Sequence, residues 1–111
     1  MSSATGHFIA QRVSALILVI LGLWFAATVH AMDSFEYTAM HAFVAQPLNG
    51  ALLLLLSLTM AYHSYLGVAV VIDDYVHAPG LNFAALLASR LAHIVLALVS
   101  VYAIYRIGFG A

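Results

Sequence analysis

The chain has 111 residues, of which 66% are hydrophobic and only 6% charged, against about a quarter charged in an ordinary soluble domain; most of it must be solvated by lipid, and it is too short and too apolar to hold a membrane core beside a separate soluble catalytic domain. A formal net charge of -1 with no basic run argues against nucleic acid as a partner. The absence of cysteine excludes disulfides, iron–sulfur ligation, thiolate zinc sites and covalently attached haem.

In chain order, a polar start carrying His7 leads to Arg12 and an uncharged apolar run, a first membrane span over about 12–32. Arg12, this run and "VHA" before Met32 also resemble a secretory signal with its cleavage site; the long polar start favours a retained span. Asp33 to Gln46 reads as the connecting loop. A second span covers about 48–75 and a third about 83–107, the latter interrupted by Arg90 and His93. Val76 to Asn82 links them, with Pro79-Gly80 read as a helix stop. The expectation is one all-α membrane domain over 1–111 with three transmembrane helices. Arg12 and Arg90 lie toward one membrane face and Arg106 toward the other. Two basic residues against one favour a cytoplasmic N-terminus.

The stretch "AYHSYLGVAVVIDDYVH" at 61–77 carries the densest chemistry. His63 and Asp74 are eleven residues apart, which is three helical turns plus about 20°, so they share a face, with His63 roughly 16 Å deeper. Gly67 lies one turn from His63 on that face and removes bulk where something flat could pack. The pattern suggests a ligand for a planar cofactor with a polar site at the helix end. The blander alternative is a neutral His63 hydrogen-bonded to a neighbouring helix. His93 lies at a similar depth on the returning helix and could grip the same metal, but an interhelical hydrogen bond is the simpler reading for it. His30 and His41 fall at or in the outer loop, and His7 and His77 at the opposite interface, where a histidine costs little.

The segment "HSYLGVAVVIDDYVH" resembles the His-x10-Asp-Tyr stretch of the small membrane-anchor subunit of succinate dehydrogenase, the succinate:quinone oxidoreductase of respiration (complex II). The mitochondrial form has the same Asp-Tyr-Val-His ending. "GHFIAQRVSA" is similar to that family's start, where a histidine and then an arginine precede the first helix, and "VYAIY" is similar to its last helix. The resemblance covers most of the chain. It implies three helices that pack with a partner subunit's helices as a haem-binding bundle. It implies His63 as one axial ligand of a b-type haem iron, the second being a histidine of the larger cytochrome b anchor subunit. Arg12, with His7, would reach the haem propionates. Tyr75 would donate to a carbonyl oxygen of ubiquinone, and Asp74 would orient or charge-balance that region. Flavoprotein and iron–sulfur subunits would dock on the cytoplasmic side of a bacterial inner membrane. The chain would carry no catalytic residue alone. It would serve electron transfer from succinate to ubiquinone in the tricarboxylic acid cycle and the respiratory chain. One departure is that the stretch from His7 to Arg12 is one residue shorter than in the family pattern. His93 and Arg90 lie outside that pattern.

These assignments make physical sense. A haem iron between two imidazoles is six-coordinate and suits electron transfer, and the ligating imidazole needs an acceptor for its other nitrogen, for which Ser64, Tyr62 or a backbone carbonyl are candidates. A guanidinium pairs carboxylates in a two-pronged way, although Arg12 also reads as a positive-inside anchor. Tyr75 could equally be an interfacial aromatic. Asp73 reads as a solvated helix-end acid, and the Asp73–Asp74 pair, unfavourable at a helix C-terminus, calls for something positive opposite. Three other functions stay open: a purely structural anchor, a stand-alone small cytochrome using His63 and His93, and a fumarate reductase anchor without haem.

Overall fold

The computed structural model describes residues 3–110, and every regular element among them is helical. The order is α1 (Ala4–Ala31), α2 (Tyr37–Ala45), α3 (Pro47–Tyr75) and α4 (Pro79–Tyr105), which runs on into a π-helical turn at Arg106–Gly110. Three of these elements are long and apolar enough to cross a membrane, Ala4–Ala31, Pro47–Tyr75 and Pro79–Gly110. The protein is a three-span membrane protein.

The ends of the helices follow from local chemistry. The hydroxyl of Ser3 accepts from Gly6 N (2.9 Å) and caps α1, so this helix begins well before the apolar run and carries His7 and Arg12 on its first turns. Gln46 Oε1 accepts from Asn49 N (2.9 Å) at the start of α3, with Pro47 in the first turn, where its missing N–H has no intrahelical partner to lose. The same logic corrects the reading of the second connection. Pro79 stands at the start of α4 rather than stopping α3, so the link shrinks to 76–78 and Asn82 is already helical. Asn82 Nδ2 then donates back to Asp73 Oδ1 (3.0 Å) and to the carbonyl of Val76 (3.1 Å), tying the two helix ends together. Within this chain, what stands opposite Asp73 is an amide dipole. The first connection also differs from expectation, since 33–46 contains the nine-residue helix α2.

α3 lies between α1 and α4, which pack mainly on it rather than on each other. The molecule measures 50 × 26 × 20 Å, and its long dimension matches the roughly 40–45 Å of a bilayer with its headgroup regions. Among the described residues, only Leu21, Leu56 and Leu66 of the large apolar side chains are buried. A sheet of three helices one layer thick has no interior to speak of, so the apolar exterior must meet acyl chains or other protein. α2 and the π turn close the far end over Gly50. A Cβ at Gly50 would lie 3.0 Å from the carbonyl oxygen of Val44, whereas one at Gly22 would meet nothing within 4 Å. Gly50→Ala is therefore expected to lower stability by about 1–3 kcal/mol through overpacking against backbone, and Gly22→Ala to leave it unchanged or slightly raised; circular dichroism across a mixed-micelle SDS titration measures both.

Candidate functional site

His63 is held from the side by α1. Its Nδ1 lies 2.8 Å from Ser14 Oγ, and Ser14 is only 4% exposed. The same hydroxyl lies 3.0 Å from the carbonyl of Gln11, to which it donates. A serine has one hydroxyl proton. With that proton on the Gln11 carbonyl, Ser14 Oγ accepts, and the imidazole donates through Nδ1–H. The nitrogen left with a lone pair is Nε2. The acceptor is thus Ser14, which the sequence offered no way to select; Ser64 and Tyr62 lie elsewhere.

The imidazole lines an open groove of ≈ 450 Å³ between α1 and α3, whose walls include His7, Phe8, Gln11, Arg12, His63 and Val70. The α1 contribution repeats every three or four residues, as one face of a helix must. This brings together three of the residues singled out in the sequence: His7, Arg12 and His63. Phe8 lies one turn before Arg12, and the Arg12 guanidinium sits over its ring at 5.1 Å from the centroid, a contact that holds the cation beside the groove. His7 Nε2 is buried and without a hydrogen-bond partner among the described residues. An orphaned polar atom in a protein interior calls for a missing partner. Gly67 does not line this groove; the side-chain amide of Gln11 lies 3.5 Å from where its Cβ would be.

His93 has a different fate. Its Nδ1 lies 2.7 Å from the carbonyl of Ser89, to which it donates, and its Nε2 lies 3.0 Å from Ser64 Oγ, from which it accepts. Tyr65 meets the ring edge-on at 5.8 Å. Both nitrogens are engaged, and Ser64 is about 100° round α3 from His63. The two histidines do not converge, and among the described residues there is no cluster of three or more metal-binding side chains. Asp74 and Tyr75 are not brought into the groove. Both are exposed at the end of α3, Tyr75 at 79%. Asp74 shares the His63 face about 16 Å along the axis.

The sequence model of the family described as succinate dehydrogenase/fumarate reductase transmembrane subunit matches residues 1–104. The chain is 29% identical over 106 residues to the succinate dehydrogenase hydrophobic membrane anchor subunit of Rickettsia bellii, covering 96% of this chain and 85% of that one. It is 27% identical over 106 residues to the protein of the same name from Rickettsia prowazekii, with the same coverage, and 25% identical over 103 residues to that of Rickettsia typhi, covering 93% and 82%. The hydrogen-bond assignment at His63 is testable without any ligand. Histidine-selective ¹⁵N spectra of the full chain in micelles should show His63 as the Nδ1–H tautomer, and Ser14→Ala should convert it to a mixture of tautomers; an Nε2–H signal in the unmodified protein would contradict the assignment.

Proposed function

From the premise that this chain belongs to the succinate dehydrogenase/fumarate reductase transmembrane subunit family, we propose that it is the hydrophobic membrane anchor of a succinate dehydrogenase and provides one wall of a b-type haem site. The observation that carries this reading is the Ser14–His63 hydrogen bond, which leaves the Nε2 lone pair of a neutral imidazole available on a groove that also holds Arg12 and the unsatisfied His7 Nε2. That donor set fits a haem: a soft nitrogen for iron, a guanidinium for propionate carboxylates, and a ring nitrogen lacking a partner.

Each residue then has a defined task. Ser14, by accepting the Nδ1–H hydrogen bond, would fix the tautomer and ring plane of His63. Arg12, kept beside the groove by Phe8, would pair with carboxylates and stays charged whatever its surroundings. His7 Nε2 would gain its missing hydrogen bond. A haem bound by two imidazoles would supply storage and passage of single electrons. Because His93 is committed to Ser64 and Ser89, the second imidazole would come from another chain, which we assign to a larger cytochrome b anchor; this favours a shared site over a self-contained cytochrome.

The end of α3 would serve ubiquinone. Tyr75 would donate its phenol proton in a hydrogen bond to a quinone carbonyl, and Asp74 would orient or charge-balance the pocket. Both side chains are exposed on this chain, so the remaining walls would be supplied by the partner anchor and the iron–sulfur subunit, with the flavoprotein beyond. The N-terminus and the short α3–α4 link would then lie on the cytoplasmic side of a bacterial inner membrane, in keeping with Arg12 and Arg90 near that face. The relatives' names favour succinate oxidation feeding the respiratory chain over fumarate reduction.

Two substitution pairs test the reading in the complex purified in mild detergent. His63→Ala should abolish or grossly alter the b-haem absorbance while His93→Ala preserves it; the reverse pattern would reassign the ligand. Tyr75→Phe should lower succinate:quinone reductase activity by about tenfold, the scale of one hydrogen bond worth about 1.5 kcal/mol, and leave dye-linked succinate oxidation intact. Equal loss of both activities would contradict the quinone role.

A further inference from the structure

The opposite side of the α3 seam carries a second groove, of ≈ 260 Å³, lined by Leu58, Tyr62, Tyr65, Arg90, Ile94 and Ala97. Leu58, Tyr62 and Tyr65 point about 140° away from His63, Gly67 and Val70 around the axis of α3. This groove is therefore separate from the His63 wall, and α4 rather than α1 forms its second side. Its charged feature is Arg90; His93 also lines it, but with both ring nitrogens already bonded to Ser89 and Ser64. The guanidinium is exposed and its single hydrogen bond among the described residues is donated by Nη2 to Tyr65 Oη at 3.4 Å. The four carboxylates of the chain lie at 33, 36, 73 and 74, at helix ends, and the other two arginines rest on the rings of Phe8 and Tyr102.

The depth of Arg90 decides what can answer that charge. The span Pro79–Gly110 has 32 residues, about 48 Å if fully helical, and overhangs a hydrocarbon core of about 30 Å by roughly 9 Å at each end when centred. Arg90 is eleven residues along, about 16 Å, so its Cα sits only about 7 Å below the headgroup boundary. Side chains on a helix lean toward its N-terminus, here toward that boundary, so the guanidinium is within snorkelling reach of lipid headgroups. From there the groove descends past His93 along Ile94 and Ala97 on one side and Tyr62 and Leu58 on the other, a largely apolar lining.

A cation within reach of the headgroups above a largely apolar channel has the shape and charge of one kind of occupant. We infer that the Arg90–Tyr65 groove binds an anionic phospholipid, with the phosphodiester on the Arg90 guanidinium and Tyr65 hydroxyl and one acyl chain along Leu58, Tyr62, Ile94 and Ala97. The Tyr65 phenol, which accepts from Arg90, still has its proton to donate to a phosphate oxygen. The bond to Tyr65 also holds the guanidinium over the groove mouth.

The test uses the delipidated complex containing the full chain, given phosphatidylglycerol or phosphatidylcholine of matched acyl composition and assayed by native mass spectrometry. Unmodified protein should retain phosphatidylglycerol about fivefold better, the scale of one basic residue at a charged membrane surface. Arg90→Gln should erase that preference, and Arg106→Gln should keep it. No preference in the unmodified protein, or a preference that survives Arg90→Gln, would overturn the proposal. So would loss of a companion subunit from Arg90→Gln with lipid preference unchanged, since that would assign the arginine to a protein carboxylate. If Arg90→Gln does not assemble, photo-crosslinking of the unmodified complex decides instead. An acyl-diazirine phosphatidylglycerol should label the segments 58–65 and 90–97 in excess over its phosphatidylcholine counterpart, and equal labelling would reject the site.

Discussion

A neutral imidazole in the middle of a lipid-spanning helix must have its N–H satisfied by the protein itself, because no water is there to do it. The Ser14 hydroxyl meets that need for His63, and much of the N-terminal half of the structure follows from it. Ser14 is in turn anchored to the carbonyl of Gln11 one turn earlier, so the bond fixes not only the distance between α1 and α3 but their relative height. A slip of one residue would turn Ser14 about 100° away from α3. With the register set, the preceding turns of α1 place Gln11 against Gly67 and bring Arg12, Phe8 and His7 onto the groove. The charge and the unsatisfied ring nitrogen beside His63 are a consequence of one serine finding one imidazole.

The two mid-membrane histidines show how the same side chain is made reactive or inert. Both take a hydroxyl from across a helix seam. At His93 the backbone carbonyl of Ser89 takes the ring proton, which turns Ser64 into a donor and uses the remaining lone pair. At His63 the serine proton is already given to a carbonyl, so the hydroxyl accepts and the lone pair is kept. The difference lies in which partner reaches a backbone carbonyl, the serine or the histidine. Elsewhere, hydroxyls such as Thr28, Thr59 and Ser100 turn back on their own helix at the carbonyl four residues earlier.

The spans were legible because their signal is additive: about twenty apolar residues in a row state a transmembrane helix whatever they pack against. So was the common face of His63 and Asp74, which depends only on helical period. The misreadings came where one residue serves two opposite local roles. Pro79 ends a helix or begins one with equal chemical ease, and Asn82, which could have told them apart, does so only through its bonds to Asp73 and Val76. α2 escaped notice because nine residues carry too little periodicity, and its N-cap Glu36 makes no side-chain cap bond. Ser14 lay hidden for another reason. It is 49 positions from His63, and nothing in the order of residues says which of several nearby hydroxyls a fold will bring across. The His7–Arg12 spacing departs from the family pattern, yet both residues line the groove beside His63.

A single layer of three helices has two broad faces and no third place to put polar chemistry. The residues divide accordingly. Toward one side α1 and α3 offer His63, His7 and Arg12; toward the other α3 and α4 offer Tyr65 and Arg90. Such a layer cannot enclose a cofactor, and the exposed apolar side chains along α1 and α4 leave it dependent on whatever covers each face. The two faces place different demands on that cover. On the proposed reading, the His63 side would offer its lone pair to a haem iron and would need a second protein wall to complete the site. The Arg90 side presents a permanent charge just below the headgroups above a largely apolar groove in which His93 is already satisfied, which is what the proposed lipid would complete. Taken together, the two proposals would orient the layer within its assembly through the asymmetry between a neutral donor deep in it and a cation near its edge: one face turned to protein, the other to the bilayer.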